Sequence, residues 1–183
     1  MEFVILTDEQ KETYREDIFQ LLKRSDREFV PPLSQRQSTT QGNLKELAEN
    51  PADGSVRQYH EQLMRQEILA AVEEDRLLGL VSFLVNTETD RIREKPNLYI
   101  STLVLHPEAR GKNLTCQMYE DLFFRRYKDH SIFTRTWSGN VAHIKILSKF
   151  HFAEMDRIPN DRGEGIDTVY FSLLRDRETG VGV

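Results

Sequence analysis

The stretch LYISTLVL, residues 98–105, constrains the fold most, because it is apolar at nearly every position. Such a run predicts a strand in the middle of a sheet, since a strand with one face in water would alternate apolar and polar residues. The basic, turn-like segment HPEARGKNLT, residues 106–115, follows at once. Apolar residues at helical spacing then predict a helix from Leu114 to about Tyr127. A central strand, a loop and a helix thus succeed one another along the chain.

Apolar patterns predict further elements on both sides of this strand. Thr7 and Gln10 form a capping-box pattern that begins a helix running to about Arg24. Two apolar runs joined by a tight turn near Asp75 predict an antiparallel hairpin. Further strands are predicted in FVIL, IFTRTW and TVYFSLL, and further helices in NLKELAEN, SVRQYHEQLMRQ and NVAHIKILSKF. The total is an α+β domain with a mixed sheet of six or seven strands and helices on both faces.

Length and composition narrow the class of protein. A chain of 183 residues fits a single domain, so we expect one domain over residues 1–183. Its net charge of −5 argues against a nucleic-acid partner, is compatible with an enzyme, and leaves room for a cationic or amine-bearing substrate without pointing to one. Cys116 is the sole cysteine and the histidines show no metal-ligand spacing, so we expect no metal. With no basic leader and no apolar run long enough for a bilayer, we expect a cytoplasmic protein without a membrane partner.

The loop after the central strand is a candidate anion site. The first turn of a helix leaves N–H groups without partners, and the helix dipole makes that end partly positive. Gly111 allows close backbone approach, and Asn113 is well suited to a left-handed turn conformation. Arg110 and Lys112 add positive charge. A plain strand-to-helix turn with solvated charges explains the same spacing.

The segment VLHPEARGKNLT resembles the acetyl-CoA loop of the GNAT superfamily of N-acyltransferases. Arg110 and Gly111 match the start of the family's Arg/Gln-x-x-Gly-x-Gly/Ala motif, whereas Asn113 and Thr115 depart from it at the two later small positions.

A second segment, residues 136–152, resembles the family region in which an Asn at a helix start precedes a turn ending in Lys-Leu-Gly-Phe. Asn140, Lys149 and Phe152 are in register, with His151 at the usual glycine. The two segments occur in the family's order and separation.

The resemblance implies a GNAT fold, whose sheet splays after the central strand and takes the pantetheine arm of acetyl-CoA in the gap. Backbone groups of Leu103, Val104 and Leu105 would hydrogen-bond that arm, together with the Asn140 side chain. Asn140 also suits a helix N-cap, and the two roles are compatible. The pyrophosphate would be held by the N–H groups of the loop, namely those of Arg110, Gly111, Lys112, Asn113, Leu114 and Thr115.

The implied reaction is direct attack of an amine on the acetyl thioester. It needs a neutral amine, a stabilised tetrahedral oxyanion and a proton for the leaving thiolate. The resemblance makes the Leu103 N–H the group that polarises the carbonyl. Candidates for the base are Glu73, Glu74, Tyr99 and Glu108, and none of them stands out.

The proton donor is the point of departure from the family. Many GNAT enzymes have a Tyr seven residues after the helix-start Asn, where this chain has Leu147. His143 shares a helix face with Asn140 and is a candidate donor, and water is another. A solvated helix histidine explains the same pattern. Cys116, in the first turn after the loop, is expected to be a buried packing residue.

The acceptor side is expected in the irregular segment after the first helix, which covers the cleft in GNAT folds. Candidate substrate-binding residues are Arg27, Phe29, Arg36 and Tyr99. Arg27 or Arg36 would recognise a carboxylate-bearing or polar amine. A solvated loop, and for Tyr99 a half-buried aromatic, are the alternatives.

The sequence therefore predicts an N-acetyltransferase that moves an acetyl group from acetyl-CoA to a primary amine of a small molecule or peptide. The alternative is a catalytically inactive GNAT-fold protein that binds acyl-CoA as a sensor or interaction partner, which Leu147 favours. A nucleotide-phosphate enzyme is excluded, because no Gly-Lys-Ser/Thr motif is present. The acceptor, the acyl length and the oligomeric state, including a homodimer, stay open at this stage.

Overall fold

The structure is a computed structural model that describes residues 1–48 and 55–175. The strands are β1 (Glu2–Ile5), β2 (Glu67–Glu73), β3 (Arg76–Val85), β4 (Asn97–Leu105), β5 (Ser131–Trp137), β6 (Ala153–Ile158) and β7 (Thr168–Leu173). The α-helices are α1 (Asp8–Thr13), α2 (Arg15–Ser25), α3 (Arg57–Met64), α4 (Leu114–Glu120) and α5 (Val141–Lys149). None of the helices in the described part of the chain is long and apolar enough to cross a membrane.

The strands form one sheet in the order β1-β2-β3-β4-β5-β7-β6. Every neighbouring pair is antiparallel except β4 and β5, which are parallel. The α4 and α5 helices cover one face of the sheet with an apolar cluster that includes Leu98 and Ile100, and α2 and α3 cover the other with a cluster that includes Val104. The predicted α+β fold, with β4 central in a mixed, mostly antiparallel sheet, is confirmed.

The sheet opens between its two parallel strands. Pairing of β4 with β5 runs only from Asn97 with Ser131 to Ile100 with Thr134, while β4 stays paired with β3 as far as Leu105. From residue 101 onward the two strands diverge, and one edge of β4 faces a gap. The predicted splay after the central strand is therefore present.

Several elements differ from the predicted ones. The first helix is interrupted at Tyr14, whose φ of −91° and ψ of 5° separate α1 from α2. The helix after the loop passes from α4 into a π-helical segment, Asp121–Arg126. The edge strand β6 was not predicted, because most of its side chains are exposed and no apolar alternation marks it. The predicted helix in NLKELAEN is a 3₁₀ segment, Leu44–Ala48, and its last two residues lie outside the described part.

Candidate active site

The opening of the sheet forms the floor of a cleft of about 590 Å³. The cleft is lined by the end of β4, the loop that follows it, the end of β5, the first half of α5, four residues of the irregular segment after α2, and Arg162. Those four residues are Glu28, Phe29, Arg36 and Thr39. The two segments that resemble the GNAT motifs therefore meet at one cleft, although the first ends at Thr115 and the second begins only at Thr136.

The backbone of β4 presents polar groups to the gap. The His106 N–H donates to the Leu78 carbonyl oxygen (2.8 Å), which fixes this residue as hydrogen-bonded to β3. Because alternate residues of an antiparallel strand point their N–H and C=O groups the same way, Val104 also pairs with β3, opposite Leu80. Leu103 and Leu105 therefore point their backbone groups away from β3 and into the gap. Of the three residues predicted to bind pantetheine, Leu103 and Leu105 have suitable geometry, whereas the backbone groups of Val104 are turned toward β3.

A glycine in β3 lets the end of β4 lie where it does. A Cβ added at Gly79 would come within 2.8 Å of the Val104 carbonyl oxygen and 2.4 Å of Leu105 Cδ2. Both distances are shorter than real Cβ contacts. The close approach of the two strands beside the cleft thus requires glycine at this position.

The loop after β4 turns through two left-handed residues. Gly111 has a φ of 73°, and Asn113 has a φ of 60° and a ψ of 17°. The predicted left-handed conformation of Asn113 is confirmed. Its side chain makes no capping hydrogen bond to α4, so the N–H groups of the first helical turn have no side-chain cap from it. Lys112 is exposed and does not line the cleft.

An ion pair joins this loop to the irregular segment. The Arg110 guanidinium lies 2.9 Å from a Glu28 carboxylate oxygen and also donates to the Leu105 carbonyl oxygen (3.1 Å). Glu28 is the only carboxylate among the described residues that line the cleft. The predicted base candidates Glu73, Glu74 and Glu108 are exposed and do not line it.

Asn140 is the N-cap of α5. Its Oδ1 accepts a hydrogen bond from the His143 N–H (3.3 Å), and its Nδ2 donates to Thr136 Oγ1 (2.9 Å). The predicted capping role is therefore present. One Nδ2 hydrogen remains for a further acceptor in the cleft, which Asn140 lines.

His143 lines the cleft. Its imidazole is neutral, however, whereas the predicted proton donor would have to be protonated. Its Nε2 lies 2.8 Å from the hydroxyl oxygen of Tyr119, a fully buried residue of α4. Burial lowers the pKa of His143 to about 4 and raises the pKa of Tyr119 above its ordinary value. At neutral pH both side chains are uncharged, so an imidazolium is not available here.

Leu147 is fully buried in the cluster beneath α4 and α5 and does not line the cleft. It also takes part in the helix end, because the Phe152 N–H donates to its carbonyl oxygen (3.0 Å) and the His151 N–H donates to that of Ser148 (3.0 Å). His151 has a φ of 62°, the left-handed conformation that explains why the family usually has glycine there.

Two of the four residues predicted to bind the acceptor line the cleft, and two do not. Phe29 and Arg36 line the cleft, whereas Arg27 is exposed and does not. Tyr99 is buried and is not part of the lining either. Arg135, Trp137 and Arg162 also line the cleft, and sequence reasoning missed the two arginines.

A signal for Arg135 was available, because it is the one charged residue in the strand SIFTRTW. No comparable signal marks Arg162, which lies in the polar segment between β6 and β7 and comes to the cleft only through the fold.

A splayed mixed sheet with a cleft at its opening is the arrangement of the GNAT acetyltransferases. Residues 16–152 match the model of the acetyltransferase (GNAT) family. The chain belongs to this family. A comparison with curated proteins finds no match.

Solved structures with the same fold include several acetyltransferases. The chain is similar to yncA from Salmonella typhimurium, solved with its cofactor acetyl-CoA, with a TM-score of 0.66, 18% identity and coverage of 100% of this chain and 98% of that one. It is similar to the ribosomal-protein-alanine N-acetyltransferase from Brucella melitensis, with a TM-score of 0.64, 14% identity and coverage of 96% and 100%. It is also similar to the aminoglycoside 6'-N-acetyltransferase from Enterococcus faecium, with a TM-score of 0.63, 12% identity and coverage of 97% of this chain and 100% of that one. At these identities the likeness concerns the fold.

Proposed function

We propose that the protein is an N-acetyltransferase that moves the acetyl group of acetyl-CoA to a primary amine. The observation that carries the proposal is the gap beside β4, where the backbone groups of Leu103 and Leu105 lead toward a loop with left-handed Gly111 and Asn113. An unpaired strand edge next to a turn rich in free N–H groups suits an extended amide-bearing arm that ends in phosphates.

The residues present fit acetyl-CoA, which supplies an activated acetyl thioester when it is bound. Leu103 and Leu105 would hold the pantetheine amides, and the remaining Nδ2 hydrogen of Asn140 would add a further bond. The N–H groups from Gly111 to Thr115 would hold the pyrophosphate. A Cβ at Gly111 would meet no atom within 4 Å, so the space beside this turn is open to a ligand.

Two groups of the chain would assist the chemistry. The Leu103 N–H would stabilise the negative charge that develops on the acetyl oxygen. Glu28 would accept a proton from the incoming amine, directly or through water. The C–N bond would form as the C–S bond breaks. The departing thiolate would take a proton from water, because His143 is neutral and lies against Tyr119.

Binding and turnover test the proposal together. We expect acetyl-CoA to raise the melting temperature of the full chain and free thiol to appear when primary amines are added. No stabilisation by acetyl-CoA would overturn the cofactor assignment. Stabilisation without turnover on amino acids, polyamines, phosphorylated amines and peptides would favour the sensor alternative.

Asn113 gives a matched pair of variants for the loop. Asn113→Val should weaken acetyl-CoA binding about tenfold, because a β-branched residue resists the left-handed conformation. Asn113→Gly keeps that conformation available and should bind within about a factor of three of the wild type. Equal affinity of the two variants, measured by calorimetry, would contradict the placement of the pyrophosphate.

Glu28→Gln tests the proposed base. We expect kcat to fall about tenfold or more. Acetyl-CoA affinity, measured alongside, reports any effect through the lost ion pair with Arg110. Glu108→Gln is the control, because Glu108 is an exposed carboxylate outside the cleft. Equal kcat values for the two variants would exclude Glu28 as the base.

A further inference from the structure

Three arginines give the cleft a charge opposite to that of the whole chain. Arg36 and Arg162 are only 5% and 8% exposed, Arg135 is half-buried, and all three line the cleft. With Arg110 they make four cationic residues among the described residues of the lining, against one carboxylate, that of Glu28, a local balance of +3. The chain as a whole carries −5.

These arginines lie on the acceptor side of the sheet. Thr136 contacts Asn140 at the start of α5, and side chains alternate along a strand, so Arg135 and Trp137 point to the opposite face. There Phe29 packs against Trp137, with ring centroids 6.1 Å apart. Arg162 lies over the same Trp137 ring.

The arginines are also separate from the proposed phosphate loop. Arg135 directly follows Thr134, which is the last residue of β5 paired with β4, opposite Ile100. The loop begins beyond Leu105, about 16 Å further along the strand. The pyrophosphate of a bound cofactor therefore does not account for this positive charge.

Neutral groups hold the three guanidinium groups in place. Arg36 donates to the Pro31 carbonyl oxygen (2.8 Å), Arg135 to that of Gln41, and Arg162 to Thr168 Oγ1 (2.9 Å). Among the described residues, none of the three forms an ion pair with a carboxylate.

Burial, together with the charges of Arg36 and Arg135, lowers the pKa of Arg162 to about 9, and nearby Asp161 offsets this only in part. Crowded, buried cations of this kind are costly unless an anion completes them.

We propose that the acceptor is a small amine that also carries an anionic oxygen group, a carboxylate or a phosphate, which binds among Arg36, Arg135 and Arg162. This rests on the transferase function proposed above. Guanidinium groups match both anions with paired N–H donors. A cleft of this size admits a small molecule beside the pantetheine arm.

Matched acceptors test the proposal in the full chain saturated with acetyl-CoA. L-amino acids are compared with their carboxamides, and O-phosphoethanolamine with ethanolamine, by free-thiol release. We expect the anionic member of at least one pair to have a kcat/KM about tenfold higher or more. The amine of a carboxamide is less basic and more often neutral, so reactivity alone would favour the carboxamide. The pair that responds identifies carboxylate or phosphate as the recognised group.

Arg135→Met should remove this preference, mainly through KM, and Arg135→Lys should retain part of it. Acetyl-CoA affinity, measured on each variant, reports whether the fold and the cofactor site are intact. Equal kcat/KM for both members of every pair, or a preference that Arg135→Met leaves unchanged, would overturn the proposal.

A binding readout separates this proposal from the transferase function. With acetyl-CoA present at saturation, so that the loop after β4 is filled, inorganic phosphate and succinate should raise the melting temperature of the wild type more than NaCl at equal ionic strength. They should not do so for Arg135→Met. Such stabilisation without turnover on any amine overturns the transferase and keeps the anion site. Turnover without any preference for anionic acceptors overturns the anion site and keeps the transferase function.

Discussion

Burial decides what a single side chain such as His143 can do. An unfolded chain protonates this imidazole near pH 6.5, whereas the folded protein does so only near 4. The stabilisation from the neutral ring is therefore complete above about pH 6.5 and is lost as the pH falls toward 4. Sequence spacing put His143 beside Asn140 correctly but could not show Tyr119 against its ring, because that contact joins two helices.

The unfolding free energy of the wild type should fall between about pH 7 and pH 4. We expect this fall to be smaller in His143→Gln, by at most about 3 kcal/mol. Urea denaturation at a series of pH values measures it. Lys145→Gln, on the exposed part of the same helix, should keep the wild-type profile. Some acid sensitivity should persist in both variants, since burial also lowers the pKa of His60. Identical profiles for His143→Gln and the wild type would contradict the lowered pKa.

Among the elements, the pairing of β3 with β4 controls the cleft. Gly79→Ala places a methyl group against the Val104 carbonyl and Leu105, so we expect a loss of about 1–3 kcal/mol in unfolding free energy. The same shift of β4 should weaken acetyl-CoA binding. Gly42→Ala is the control, because a Cβ there meets no atom within 4 Å. Equal stability of the two variants would show that β4 accommodates the methyl group.

Local sequence patterns predicted most of the helices and strands. They missed the edge strand β6 and the break in the first helix, which no local pattern marks. The capping box at Thr7 and Gln10, the hairpin and β4 were visible because each carries its own signal, and the structure has all three. Edge strand β6 was missed because its charged side chains face water. The break at Tyr14 interrupts a helical pattern whose apolar spacing continues across it.

Across the whole molecule, net charge is a poor guide to the charge of the cleft. The acidic total was compatible with a cationic substrate, yet the described residues that line the cleft include four arginines from distant parts of the chain. Composition sums charges without placing them, so the local excess of arginine is visible only in the fold. The loop after β4, by contrast, is contiguous and could be located from the sequence.

The positive charge of the cleft predicts poor turnover of polycations. We expect spermidine to have a kcat/KM about tenfold or more below that of the best anionic acceptor, because like charges repel in a partly buried site. Arg135→Met should narrow the difference. Spermidine acetylated faster than every anionic amine, in the same thiol-release assay, would contradict the charge argument.

The bond from Arg162 to the Val30 carbonyl oxygen joins residues 132 positions apart. It ties the segment that covers the cleft to the turn between the last two strands. During synthesis, this bond can form only after Arg162 has been made, whereas β4 and the loop that follows it are made earlier. The β4 side of the cleft is thus synthesised before the contact that fixes the segment opposite it.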